Sequence, residues 1–125
     1  MKIRVYFEDT DIGGIVYHTK YINFCERARS EILFENGIMP YDTSSKSGYI
    51  VKSLKCDFLK SATLGDILEV KTKVLSVSKV KFTLLQEIFK GDEKLFSMEV
   101  VIVHTINGKP AKIDSKILEL WGVGN

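Results

Sequence analysis

Hydrophobic and polar positions alternate over residues 2–8, which predicts a short β-strand. From about residue 18 the apolar spacing changes to three and four, which predicts a helix with one broad apolar stripe. The members of this stripe are Tyr21, Phe24, Cys25, Ala28, Ile32 and Leu33. We expect the helix to end near Asn36 and Gly37, because glycine suits the left-handed conformation past a helix end.

The alternation returns in the second half of the chain and predicts strands from Tyr49 to about Ile106. Residues 38–48 are rich in Pro, Ser, Asp and Gly and predict a loop. A short terminal helix is expected over residues 114–121, capped by Asp114 or Ser115. Turn signals separate the strands at residues 61–66, 76–79, 90–94 and 107–108.

This order of elements predicts the architecture. The apolar stripe of one long helix must be covered, and the available cover is the apolar face of four long antiparallel strands. We therefore expect an α+β fold in which a strongly curved antiparallel sheet wraps around a central helix. A chain of 125 residues is too short for its strands to enclose the helix alone, so the outer sheet edges are expected to pair with a second subunit as an isologous dimer.

Length and composition narrow the class of protein. The 125 residues are 45% hydrophobic and 27% charged, which fits one domain over residues 1–125. A net charge of +2 without a basic stripe argues against nucleic-acid binding, and no apolar run reaches the length of a membrane span. The first residues lack the apolar core of a secretion signal, so we expect a cytoplasmic protein in which Cys25 and Cys56 are core thiols.

The candidate chemistry lies just before the predicted helix. Three acidic residues, the last of them Asp11, precede a Gly-Gly pair at positions 13 and 14, and His18 follows. Glycines let such a loop fold tightly and let the backbone approach a ligand. A carboxylate beside a helix N-terminus suits catalysis, since the first amides lack intrahelical partners and carry partial positive charge. From the residues alone, a carboxylate that caps the loop or the helix entry is the favoured role of Asp11.

Bacterial YbgC-like acyl-CoA thioesterases have a signature that closely resembles residues 8–21 of this chain, EDTDIGGIVYHTKY, and the ERAR at residues 26–29. They belong with 4-hydroxybenzoyl-CoA thioesterase in the hotdog-fold superfamily, and residues 58–66, FLKSATLGD, are similar to that family's connection between two strands. The resemblance covers essentially the full chain. It implies a five-stranded antiparallel sheet around a central helix, in dimers that often pair into tetramers.

The same resemblance implies hydrolysis of an acyl-CoA to a free carboxylic acid and coenzyme A, at an active site on the dimer interface, without a metal or other cofactor. Asp11 matches the family's catalytic aspartate, which acts as general base to water or attacks the carbonyl to form a mixed anhydride. Both routes stay open. The backbone amide at His18 matches the donor that polarises the thioester carbonyl. The imidazole is not required, because 4-hydroxybenzoyl-CoA thioesterase has tyrosine there.

Further residues are expected to bind the substrate. The residues expected around the acyl group are Gly14, Val16, Tyr17, Tyr21 and Phe58. The alternative role of Tyr21 is core packing, with its hydroxyl hydrogen-bonded. For the phosphates of coenzyme A, Lys79 and Lys81 lie in the region that matches basic coenzyme A-contacting residues of 4-hydroxybenzoyl-CoA thioesterase. Lys55 and Lys60 are weaker candidates for these phosphate contacts. Three charged residues of the helix are expected on its polar flank, in ion pairs at the dimer interface: Glu26, Arg27 and Arg29.

Two other functions are compatible with the resemblance. One is a hotdog dehydratase or hydratase acting on acyl carrier protein substrates, but those enzymes need a histidine and a second acid on the helix, whereas Asp11 precedes the glycines. The other is a non-catalytic acyl-binding or assembly module, because YbgC-like proteins are often associated with cell-envelope (Tol–Pal) gene clusters or phospholipid synthesis partners. Acyl length and the choice between coenzyme A and acyl carrier protein stay open at the level of sequence.

Overall fold

The computed structural model describes residues 1–121, which contain a seven-stranded antiparallel sheet. Its strands are β1 (Lys2–Arg4), β2 (Tyr41–Asp42), β3 (Ser47–Phe58), β4 (Ile67–Val77), β5 (Lys81–Lys90), β6 (Glu93–Ile106) and β7 (Lys109–Pro110). They lie in the order β1-β4-β5-β6-β3-β2, with β7 paired to β6. The predicted five-stranded sheet is therefore present as β1, β3, β4, β5 and β6, and two strands of two residues extend it.

Helix α1 spans His18–Glu35 and packs in the curl of the sheet, which confirms the predicted α+β hotdog architecture. As predicted, the helix ends before Gly37, whose φ of 71° is left-handed. Helix α2 spans Ser115–Leu120, and the Asp114 side chain caps it by accepting a hydrogen bond from the Lys116 N–H at 3.0 Å. Neither of these helices, nor any other part of residues 1–121, has the length and apolar character of a membrane-crossing helix.

Two local predictions are wrong. Strand β1 stops at Arg4 because residues Phe7–Asp9 form a 3₁₀ turn, in which the Asp9 carboxylate accepts a hydrogen bond from the Tyr6 N–H at 2.9 Å. Phe7 is consequently 81% exposed instead of facing the core. The predicted loop at 38–48 contains β2, which pairs with the beginning of β3. Residue periodicity encodes neither the side-chain hydrogen bond of Asp9 nor the pairing of β2 with β3.

A buried polar network joins the helix to the middle of the sheet. The Arg29 guanidinium donates to Gln86 Oε1 at 2.9 Å, and the Gln86 amide donates to the Cys25 carbonyl at 2.9 Å and to Thr72 Oγ1 at 3.0 Å. Arg29 was expected on the polar flank of the helix, but it is buried, with an exposed fraction of 9%. Burial lowers the pKa of Arg29 and raises the pKa of the Cys25 thiol to about 12.

Strand β3 forms an open edge of the sheet. Its neighbour β2 pairs only with Ser47 and Gly48, so the outer side of residues 49–58 has no strand partner within residues 1–121. Leu54 and Phe58 share the inner face with Cys56, but they are 42% and 50% exposed. Their partners on β6 are fully buried, namely Val100, Met98 and Phe96. The apolar inner face of the sheet is thus left partly uncovered at β3.

Gly48 lies where a side chain does not fit. A Cβ at this position would lie 2.4 Å from the Pro40 carbonyl oxygen and 2.8 Å from Tyr41 Cα, which are backbone atoms held by the β2–β3 pairing. We expect Gly48→Ala to lower the free energy of unfolding by ~1–3 kcal/mol, the usual cost of overpacking. Urea unfolding measures this, with Ser47→Ala as the control on the same strand. An unchanged urea midpoint for Gly48→Ala would contradict the structure.

Candidate active site

Residues 10–17 form a tight loop that leads into α1. The Asp11 Oδ1 accepts a hydrogen bond from the Gly13 N–H at 2.8 Å, and the Gly14 N–H donates to the Asp11 carbonyl at 3.0 Å. Gly14 has a φ of 82°, which favours glycine. The Asp11 side chain is exposed and takes part in none of the ion pairs found among residues 1–121. One carboxylate oxygen is thereby held in place while the group stays accessible.

The first turn of α1 presents an unpaired backbone donor next to this loop. Tyr17 precedes the helix in an extended conformation, and its side chain caps no amide. Its N–H donates to the Asp9 carbonyl at 2.9 Å, and its carbonyl accepts from the Lys20 N–H at 2.9 Å. The N–H of His18, the first helical residue, has no partner in the described part of the chain. Such an amide carries partial positive charge and suits an anionic oxygen.

Asp11 and His18 line the same cleft, whose volume is about 300 Å³. Six of the residues predicted to act in the site are brought together in its wall: Asp11, Val16, Tyr17, His18, Tyr21 and Phe58. Ile15, Leu59, Lys60 and Ser61 complete it. Ser61 was not predicted, although its place next to the matched segment that begins at Phe58 was an available signal. Gly14 shapes the loop without lining the cleft.

Aromatic rings form one wall of the cleft. The rings of Tyr17 and His18 lie 4.6 Å apart, and Phe58 meets both His18 and Tyr21 edge-on at centroid distances of 6.1 and 6.0 Å. Tyr21 also stacks on Phe96 at 5.4 Å. Because Phe58 lies on the open edge strand, the wall extends from the start of the helix to the edge of the sheet. This surface suits the apolar part of an acyl substrate.

Tyr21 connects the first turn of α1 to the loop that follows β3. Its hydroxyl accepts a hydrogen bond from the Ala62 N–H at 2.9 Å, and the Ala62 carbonyl accepts one from the Val16 N–H at 2.9 Å. The side chain is 3% exposed, and burial raises the pKa of its hydroxyl. Tyr21 therefore combines core packing with a satisfied hydroxyl, and it fixes the position of Val16 beside the cleft.

The predicted coenzyme A cations lie at the other end of the sheet. Lys79 lies in the turn between β4 and β5, Lys81 begins β5, and Lys81 is paired with Val103 on β6. Phe58 is paired with Phe96, which lies seven positions before Val103 on β6. Lys81 and Phe58 are therefore ~23 Å apart along the strands of one protomer. Lys60 instead lines the cleft and forms an ion pair with Glu93.

Comparison with known proteins identifies the family. The family model of the Thioesterase-like superfamily matches residues 5–120. The chain belongs to this superfamily. This result confirms the family resemblance predicted from residues 8–21, and it agrees with the convergence of Asp11 and the start of α1 on one cleft.

Individual superfamily members are similar to this chain over much of its length. An acyl-CoA thioesterase YbgC from Helicobacter pylori is 43% identical over 71% of this chain, and the match spans 65% of that relative, slightly less than two thirds of its length. An acyl-CoA thioester hydrolase YbgC from Escherichia coli is 31% identical, with 93% of this chain and 90% of the relative covered. The crystal structure of a probable thioesterase from Bartonella henselae has a TM-score of 0.83 at 30% identity, covering 91% of this chain and 97% of that one.

Proposed function

We propose that this member of the thioesterase-like superfamily is an acyl-CoA thioesterase, a hydrolase that releases a free carboxylic acid and coenzyme A. The observation that carries the proposal is the convergence of the exposed Asp11 carboxylate and the unpaired His18 amide on one cleft with an aromatic wall. The names of relatives at 31% and 43% identity support the same activity. Residues 1–125 act in this proposal as one thioesterase domain.

The proposed chemistry requires a nucleophile and a site for the negative charge that develops on the carbonyl oxygen. Asp11 either removes a proton from a water that adds to the carbonyl carbon, or adds to it directly to give a mixed anhydride that water then hydrolyses. In both routes the carbon–sulfur bond breaks and the coenzyme A sulfur takes up a proton. The His18 amide donates to the oxyanion, and such a donor contributes about 3 kcal/mol to lowering the barrier.

Different observations support the individual substrate-binding residues. Val16, Tyr17, Tyr21 and Phe58 line the cleft, and Gly14 allows the turn that presents Asp11. Lys60 is a cation in the cleft wall of the same protomer. Lys79 and Lys81 lie at the opposite end of the sheet from the cleft of their own protomer, and we propose that they contact the coenzyme A phosphates of a substrate bound in the cleft of a second subunit.

The open edge of β3 supports the proposed isologous dimer. A two-fold axis at the centre of residues 49–58 would pair the two β3 edges and place Tyr49 of one copy opposite Phe58 of the other. The end of the sheet that carries Lys79 and Lys81 would then approach the cleft of the other subunit. Further pairing of dimers into tetramers, acyl carrier protein as an alternative carrier, and the cytoplasmic location stay predictions.

We expect Leu54→Asp to dissociate this dimer. Leu54 is 42% exposed and lies next to the proposed axis, so the two new carboxylates would be close neighbours across it, and like charges on neighbouring strands repel. Size-exclusion chromatography with light scattering should show a dimer for the unmodified protein and a monomer for the variant. Ile106→Asp is the control, because Ile106 is 51% exposed on β6 away from this edge. A dimeric Leu54→Asp protein would contradict the proposed interface.

The activity itself is tested with a series of acyl-CoA esters of two to sixteen carbons, with released thiol as the readout. We expect saturable hydrolysis of at least part of the series, and the chain-length profile would define the acyl preference. Failure to release thiol above the uncatalysed rate from every ester would refute the proposed function and favour a non-catalytic acyl-binding role.

A further inference from the structure

A second cavity, of about 290 Å³, lies between the second half of α1 and the beginning of β3. Two of its lining residues, Tyr49 and Val51, belong to the part of β3 whose outer side has no strand partner within residues 1–121. Phe82 packs between the rings of Tyr49 and Trp121, at centroid distances of 6.1 and 5.2 Å, and forms the aromatic wall. The cavity is therefore a largely apolar space beside the open edge of the sheet.

The two charged residues in the wall of the second cavity have opposite signs. They are Glu26 and Arg29. Burial lowers the pKa of Arg29, and the negative charge of Glu26 opposes this shift. The guanidinium also donates a hydrogen bond to Gln86. Because the wall carries one charge of each sign, it suits an uncharged alkyl chain better than a further anion.

The proposed dimer brings this cavity next to the cleft of the other copy. Pairing of the two β3 edges about the centre of residues 49–58 places Tyr49 of one copy opposite Phe58 of the other. Residues directly opposite on antiparallel strands share a face of the sheet, and the strands lie about 4.8 Å apart. Phe58 is a wall of the cleft that Asp11 and His18 line, so the cleft of one copy would continue into the second cavity of the other.

We propose that the acyl chain of the substrate crosses this subunit boundary. The thioester reacts in the cleft of one copy, while the distal methylene groups occupy the second cavity of the other copy. A cavity of about 290 Å³ has the volume of roughly ten water molecules, which fits about six methylene groups. The inference rests on the proposed hydrolysis and the proposed dimer, and it names the substrate class as unbranched acyl chains of medium length. Val51 becomes a specificity-determining residue that acts on the cleft of the other copy.

Butyryl-CoA and decanoyl-CoA separate the two parts of this site. A butyryl chain ends within the cleft, whereas a decanoyl chain is long enough to enter the second cavity. Each methylene group that moves from water to an apolar wall strengthens binding about fourfold. We therefore expect kcat/KM for thiol release to be at least about tenfold higher with decanoyl-CoA than with butyryl-CoA.

Substitutions at Val51 should change this preference in opposite directions. Val51→Phe fills the cavity and should lower the ratio of kcat/KM for decanoyl-CoA to that for butyryl-CoA by at least about tenfold. Val51→Ala widens the cavity and should move the best substrate to a longer chain. Ile50→Phe is the matched control, because Ile50 is 44% exposed, lies next to Val51 on the same strand and lines neither cavity nor cleft. It should leave the ratio unchanged.

Mixed dimers, isolated through two different affinity tags, show which copy supplies the cavity. In a dimer of one Asp11→Asn copy and one Val51→Phe copy, the active cleft belongs to the Val51→Phe copy and adjoins the unmodified cavity of the other. We expect this dimer to keep the preference for decanoyl-CoA. In a dimer of one unmodified copy and one copy with both substitutions, the active cleft adjoins the filled cavity. We expect this dimer to lose the preference.

Each result decides the inference. Equal decanoyl preference in the two mixed dimers, the reverse assignment between them, an unchanged ratio in Val51→Phe, or a monomeric unmodified protein would overturn it. Hydrolysis of butyryl-CoA without a gain for decanoyl-CoA would overturn this inference and leave the proposed hydrolysis standing. Absence of thiol release from every ester would overturn both.

Discussion

Replacing Asp11 with asparagine is expected to lower kcat/KM for acyl-CoA hydrolysis by about 10²–10⁴-fold, the usual contribution of a positioned general base. The expected effect is chemical because the loop survives the change. In the structure Asp11 Oδ1 accepts the Gly13 N–H, and the amide oxygen of asparagine can accept the same hydrogen bond. What the variant loses is the negative charge and the basic oxygen. Thiol release at substrate concentrations below KM measures the loss of catalysis, and the melting temperature measures whether the fold survives the change.

Asp9→Asn is the matched control, two positions away in the same loop. Asp9 is buried, accepts the Tyr6 N–H at 2.9 Å and lies 3.7 Å from Lys20 Nζ, and it does not line the cleft. We expect Asp9→Asn to reduce stability more than Asp11→Asn and to reduce kcat/KM less. Hydrolysis by Asp11→Asn at the rate of the unmodified protein would show that the carboxylate is not the catalytic group.

Replacing His18 with proline is expected to lower kcat/KM by about 10²–10³-fold relative to His18→Ala, because proline removes the backbone donor proposed for the oxyanion. Alanine removes the imidazole and keeps the amide, so the comparison isolates the N–H. The helix should tolerate the change, since proline is favoured at the first helical position. Tyr17 already has φ −65° and ψ 137°, the extended conformation that a residue before proline requires.

The His18 pair also separates the amide from the ring. The His18 N–H has no partner within residues 1–121, so its removal should cost the folded state little, and both variants should have similar melting temperatures. The ratio of kcat/KM between the two variants measures the loss of transition-state stabilisation relative to free enzyme and substrate. Equal kcat/KM values for the proline and alanine variants would exclude this amide as the oxyanion donor and shift the role to another group in the cleft.

The local patterns of the sequence were sufficient for most of the architecture. The three-and-four spacing from Tyr21 to Leu33 predicted α1, and glycine at position 37 predicted its end, because helix periodicity and helix termination depend on neighbouring residues. The alternation after Tyr49 likewise predicted the long strands, and of the two predicted caps of α2, Asp114 and Ser115, the structure has Asp114. Residues 8–21 were specific enough to indicate the superfamily and to predict that Asp11 and His18 lie near one another.

Other features depended on contacts between residues distant in sequence. The sequence placed Arg29 on a polar flank because arginine is normally exposed, but Gln86, 57 residues away, provides the acceptor that draws it into the interior. The lysines at 79 and 81 matched the family in type, whereas strand register puts them far from the cleft of their own protomer.

The sequence by itself therefore determined which segments become helix or strand and which loop carries the candidate chemistry, since these follow from short-range periodicity and backbone preference. Only the tertiary structure decided what faces the cleft, which edge of the sheet stays open, and that the Arg29 guanidinium is buried against Gln86. These properties arise from strand register and from the packing of α1 against the sheet, which bring together side chains that no local pattern connects.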